Sequence, residues 1–223
     1  MYLRGQRKQA GWTTELSAYW RELLFWLLLL PAFGALGSIK PRNQIAGLIE
    51  ACAFLLIAIS STGKLKSLGL EFAHWNRVGT RIAVLCALAG MVAGGVIVAV
   101  ACLSDRSLGV EQGWNRVILA VSLGPVLEEV IFRGYLLTAM LVLTGRLWPS
   151  RSASVSIIGI AVVFSTAHLA TPGMKAIQLG CIGSTGCLYG YIRVRFRSTA
   201  AAALAHAMYN LALYVSCWIG IAR

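Results

Sequence analysis

Acid is scarce in this sequence. Only 8 of its 223 residues are Asp or Glu, and only 3 are His. Charged residues of both signs make up 13%, against about a quarter in an ordinary soluble domain. Too few charges are left to solvate a globular surface or a disordered chain. Proline numbers only 5, which excludes a collagen-like chain. The six cysteines form no C-x-x-C pair and all sit in apolar runs. They read as small buried hydrophobes, not as a disulfide framework or a zinc site. A net charge of +12 would suit nucleic acid, but a basic patch needs a solvated face that most of this chain lacks. No nucleic-acid partner is expected.

Long hydrophobic runs are plentiful. Hydrophobic types reach 58%, and the mean hydropathy is +0.73. These values indicate an integral membrane protein, an all-α bundle of spanning helices. The intervals 82–104, 152–174 and 198–222 are uncharged and long enough to cross. Intervals 23–39 and 176–192 are slightly short, the first with Pro31 as a kink. Stretches 43–63 and 117–145 are apolar but contain Glu50, and Glu128, Glu129 and Arg133, respectively. The expected architecture is therefore about seven spans, with six to eight as the range. Residues 67–76, with His74, are too short and polar to cross and are assigned to the interface.

The basic residues orient this layout. With the N-terminus inside, cytoplasmic segments hold Arg4, Arg7, Lys8 and Arg21, then Lys64, Lys66, Arg77 and Arg81. Arg146, Arg151, Arg193, Arg195 and Arg197 complete that side. Outside stand Lys40, Arg42, Arg106, Arg116, Lys175 and Arg223. Thirteen against six favours a cytoplasmic N-terminus. Trp12, Trp20 and Trp26 fit as interfacial anchors. The reading is one membrane domain over 1–223, a basic cytoplasmic or interfacial segment at 1–22, and motif-bearing helices at 116–222. No cleavable signal peptide is expected. Gly90-x-x-x-Gly94 and Gly186-x-x-x-Gly190 suit close helix packing.

Ionisable groups inside spans are expensive, so they draw attention. Glu129 and Arg133 are four apart with the acid first, the favourable order for a pair on one helix face. Glu128 points about 100° away from Glu129 and is not placed for that pair. One carboxylate is tied to a cation, and the other is free to enter a cavity. Phe164 and His168, then His206 and Asn210, show the same four-residue spacing. Each feature alone also fits a structural ion pair, a proton relay or helix-to-helix glue. Glu50 fits a charge near a span end that reaches the interface.

Taken together, Glu128-Glu129-x-x-x-Arg133, Phe164-x-x-x-His168 and His206-x-x-x-Asn210 resemble the CAAX protease and bacteriocin-processing family. These are intramembrane glutamic endopeptidases that include the Ras-converting enzyme. The resemblance covers roughly 120–215 and is complete in all three motifs. It implies an intramembrane peptidase for a membrane-anchored protein or peptide precursor. It also implies roles: Glu128 as general base, with His168 holding the attacking water. His206 and Asn210 would donate to the oxyanion, while Glu129 and Arg133 hold their helix and Phe164 shapes the wall. No cofactor or metal is implied.

Two competitors stay open. A zinc peptidase would use His168, His206 and a Glu as ligands, although H-E-x-x-H is absent. A transporter or scaffold would use the buried charges for proton coupling or assembly. Depth strains the peptidase layout. At about 1.5 Å per residue, His168 lies roughly 24 Å from the inner end of its span, Glu128 about 22 Å and His206 about 12 Å. Convergence requires tilt, or a break near Thr171-Pro172-Gly173. A prokaryotic cell membrane is the expected location, with oligomeric state and substrate left open.

Overall fold

The structure is a computed structural model that describes residues 78–104, 114–170 and 176–221. Every regular element among the described residues is helical, as the composition requires. The expectations for 1–77, including the spans at 23–39 and 43–63 and the readings of Glu50 and His74, lie outside the described residues.

Helix α1 runs Thr80–Leu103 and carries no charge after Arg81. Its outward face is apolar: Val84, Leu85, Leu88, Val92 and Val96 are each more than half exposed. In water such a stripe would be an interaction patch; in a bilayer it is the lipid face. Its inward face is made of small residues. The last helix, α7 (Thr199–Trp218), buries Ala201, Ala202, Ala203 and Ala205 in return. A Cβ on Gly90 would stand 2.0 Å from the Ala205 carbonyl oxygen, and one on Gly94 2.6 Å from the Ala212 Cβ. Bare backbone at these two positions is what lets α1 and α7 touch. Both helices are long and apolar enough to cross a membrane.

The expected stretch at 117–145 is not one helix. Helix α2 (Trp114–Val121) stops at Ser122, whose φ of −127° and ψ of −83° break the ladder. Helix α3 (Leu123–Glu129) then starts, with Pro125 in its first turn, where the missing N–H costs nothing. The chain continues without interruption into a π-helical segment, Val130–Leu136, and then α4 (Leu137–Leu147). All seven π-helical residues are buried. Such wide turns are uncommon and recur at functional positions.

Helix α5 (Ser152–Ala167) leads into one 3-10 turn, His168–Ala170. The helix therefore ends seven residues before the expected 174. Helix α6 (Ala176–Phe196) packs antiparallel to α5. A Cβ on Gly186 would lie 3.2 Å from the Phe164 ring, and one on Gly190 3.0 Å from Ile157. Hydroxyls tie α4 to α5: Thr144 Oγ1 lies 2.9 Å from Ser152 Oγ and 2.7 Å from Ser156 Oγ. The turn into α7 is only two residues long. Arg197 takes a left-handed φ of 54°, and Ser198 caps α7 by accepting from the Ala201 N–H at 3.2 Å.

Candidate active site

The seven motif residues come from four elements and converge. Helix α3 ends on Glu128 and Glu129, and the π-helical segment supplies Arg133. Phe164 and His168 stand at the end of α5, and His206 and Asn210 lie midway along α7. Because α5 terminates at Ala167, His168 is a helix-end residue beside the cavity.

Arg133 and Glu129 are both fully buried. Arg133 Nη1 donates to Glu129 Oε1 at 2.8 Å, the i,i+4 pair expected from the spacing. Nη2 donates to the Gly186 carbonyl at 3.0 Å. The guanidinium also lies 4.2 Å from the Phe164 ring centroid and 5.2 Å from that of Tyr189. A buried charge survives only with such company. Phe164 is thus a floor under Arg133 as well as a wall, with its centroid 4.8 Å from the His168 ring.

Glu129 does more than the spacing indicates. Its Oε1 also faces His206 Nδ1 at 3.0 Å, across 77 positions of sequence. A carboxylate only accepts, so Nδ1 carries the proton. Nε2 of His206 is left toward Glu128, 3.9 Å from Oε2, which is too far for a hydrogen bond. The Glu128 side chain is 37% exposed, and its Oε2 has no hydrogen-bond partner among the described residues. The two adjacent acids therefore divide as the helix geometry indicates, one locked and one free.

His168 Nδ1 lies 2.8 Å from the Phe164 carbonyl oxygen, which also only accepts. Its Nε2 consequently holds a lone pair. Asn210 Nδ2 donates to the Ala120 carbonyl at 2.7 Å, which leaves its second N–H uncommitted by that bond. Glu128, Phe164, His168, His206 and Asn210 all line one cavity of about 270 Å³. Its remaining wall is largely apolar, including Ile97, Val100, Ile182 and Leu213. The arrangement sets the free Glu128 carboxylate and the His168 lone pair, as acceptors, beside the second Asn210 N–H on α7. No cluster of three His, Cys, Asp or Glu side chains suited to a metal occurs among the described residues.

Comparison with family models places residues 110–212 in a match to "Type II CAAX prenyl endopeptidase Rce1-like". That segment is similar to the Rce1-like family. All seven motif residues fall inside the Rce1-like segment. The match implies a protease, a membrane setting and a membrane-associated protein substrate. Searches of curated proteins and of solved structures returned no match.

Sequence reasoning about the Rce1-like segment missed Tyr189. It is fully buried, and its ring stacks on His206 with centroids 4.7 Å apart and planes at 17°. No spacing rule links α6 to α7 in this way; only the periodic glycines beside it hinted at close packing. Stacking fixes the plane of the His206 imidazole. Tyr189→Leu is expected to lower kcat about ten-fold while KM stays within about two-fold, because a reacting group is misplaced. Tyr189→Phe, which keeps the ring, is expected to restore most of that loss. Steady-state kinetics on the three proteins decides it.

Proposed function

We propose that this protein is a glutamic intramembrane endopeptidase. It hydrolyses a peptide bond in a membrane-anchored protein or peptide precursor. One observation carries the reading: Glu128, free of any hydrogen-bond partner at Oε2 among the described residues, lines the same cavity as His168, His206 and Asn210.

Water held between Glu128 and the His168 lone pair would attack the scissile carbonyl carbon. Glu128 takes a proton from that water as the new C–O bond forms. The carbonyl oxygen becomes an oxyanion and needs donors. Asn210 offers its second N–H. His206, held at Nδ1 by Glu129, offers Nε2–H when both ring nitrogens carry protons. Glu128 then returns the proton to the amine as the C–N bond breaks. Arg133 holds Glu129 in place through their 2.8 Å hydrogen bond.

In this reading the chain crosses a prokaryotic cell membrane about seven times, with its N-terminus in the cytoplasm. The acid–base chemistry comes from side chains alone. Substrate classes that fit are prenylated C-termini, leader peptides and sorting signals. Incubation with a farnesylated CAAX peptide in detergent, or co-expression with a membrane-anchored precursor, tests the activity by mass spectrometry. Identical products from wild type, Glu128→Ala and His206→Ala would overturn it.

Zinc is the competing chemistry. Nδ1 of each histidine is committed, to Glu129 and to the Phe164 carbonyl, which leaves each Nε2 as the atom a metal would take. Under the glutamic mechanism, cleavage in detergent is expected to survive prolonged treatment with a strong chelator. Loss of activity that returns on adding zinc would favour the metallopeptidase instead.

A further inference from the structure

The three motifs account for most of the polar groups on the cavity wall, but not for all of them. Ser104, Gln178, Thr185 and Tyr209 line it as well. Ser104 is exposed, just after the end of α1. Gln178 has an interaction of its own. Thr185 Oγ1 donates back into its own helix, to the Cys181 carbonyl at 3.2 Å and the Ile182 carbonyl at 3.1 Å. Tyr209 differs from these three. It is only 8% exposed, and its hydroxyl hydrogen-bonds no described residue.

A buried phenol can both donate and accept, and leaving it unmatched is costly. Tyr209 Oη is not among the polar atoms sealed inside the protein, and the residue lines the cavity, so its tip opens there. Packing holds the ring in place. Its centroid lies 6.4 Å from that of Tyr189, with the planes at 75°. Tyr189 also stacks on His206, so one ring backs both side chains. The backbone is held too, since a Cβ on Gly94 would stand 2.8 Å from the Tyr209 carbonyl oxygen. The hydroxyl is therefore an uncommitted group on a rigid arm.

His206 and Tyr209 are three residues apart on α7, a rise of about 4.5 Å. An extended peptide advances about 3.3 Å per residue. A substrate running along α7 past His206 brings its next peptide unit to Tyr209. That unit carries polar groups into a cavity whose remaining wall is largely apolar, where an unmatched carbonyl is costly. We infer that Tyr209 anchors the substrate main chain, Oη donating to the carbonyl of a peptide unit next to the scissile bond. The inference rests on the peptidase reading, in which His206 and Asn210 take the scissile carbonyl. An anchor of this kind reads backbone and no side chain. It sets the register of the cut without selecting a sequence.

Binding of a farnesylated CAAX peptide to the full chain in detergent tests it. Glu128→Gln serves as the background, so that the peptide stays uncut. Adding Tyr209→Phe removes the hydroxyl and keeps the ring against Tyr189, so Tm is expected to hold. Kd is expected to rise about ten-fold, the loss of one buried hydrogen bond. The second arm changes the peptide: a thioamide, a weaker acceptor, replaces in turn the amide on either side of the scissile bond. At one of the two positions Kd is expected to rise about ten-fold in Glu128→Gln and not to rise further in the double variant. A merely structural tyrosine would weaken the normal and thioamide peptides equally. That result, an unchanged Kd with Tyr209→Phe, or no saturable binding would overturn the inference. The thioamide arm on Glu128→Gln alone decides where Tyr209→Phe fails to fold, and no loss at either position overturns the anchor there. Cleavage of the unmodified peptide by wild type judges the peptidase reading separately. A peptide that binds with these ratios and is never cut would keep the anchor and remove the peptidase.

Discussion

Glu128→Gln is expected to abolish cleavage, with kcat falling by about 10²–10⁴, the usual contribution of a positioned general base. The substitution keeps shape and removes only the basic lone pair. The protein should still fold, because Glu128 makes no ion pair within hydrogen-bond distance and Oε2 has no partner to lose among the described residues. Its neighbour should behave differently. Glu129→Ala would leave Arg133 buried without its carboxylate, and breaking such a pair costs about 3–5 kcal/mol. The informative contrast is a folded, inactive Glu128→Gln beside a destabilised Glu129→Ala. Kinetics in detergent and thermal unfolding of both variants read it directly. An active Glu128→Gln would remove the glutamic mechanism.

Gly90→Leu is expected to prevent the bundle from closing, and Gly90→Ala to lower Tm by roughly 5 °C. The reason is the backbone of α7. A methyl on Gly90 would sit 2.0 Å from the Ala205 carbonyl oxygen, so α1 and α7 must separate. Ala205 precedes His206, so the shift displaces the face that carries His206 and Asn210 as well. Gly95→Ala is the control, since nothing lies within 4 Å of a Cβ there. Its Tm should hold or rise slightly, because alanine favours helix over glycine. Equal losses at Gly90 and Gly95 would mean that helix contact is not the cause.

These contrasts also show where sequence reasoning succeeds. The Glu129–Arg133 pair and the freedom of Glu128 follow from 3.6 residues per turn, a local rule that the folded chain obeys. The extents of α1 and α7 follow from hydrophobicity and charge, and the structure places them within a few residues of the expected intervals. The break at Ser122 did not follow, because it leaves the hydropathy of its stretch unchanged. The end of α5 falls just before Thr171-Pro172-Gly173, where a break was one of two expectations. The helix-packing role of Gly90 and Gly94 was a weak motif until Ala205, Tyr209 and Ala212 were found against them.

The sequence by itself determined a helical membrane protein, the seven motif residues and the sorting of two adjacent acids. Composition and helical periodicity act over short distances, so they can be read along the chain. Only the tertiary structure decided that Glu129 holds His206 as well as Arg133, that Tyr189 backs that imidazole, and that Glu128, His168 and Asn210 line one cavity. Those relations join residues tens of positions apart. They exist only because bare glycines let α1 meet α7 and α5 meet α6 closely enough to bring four elements around one cavity.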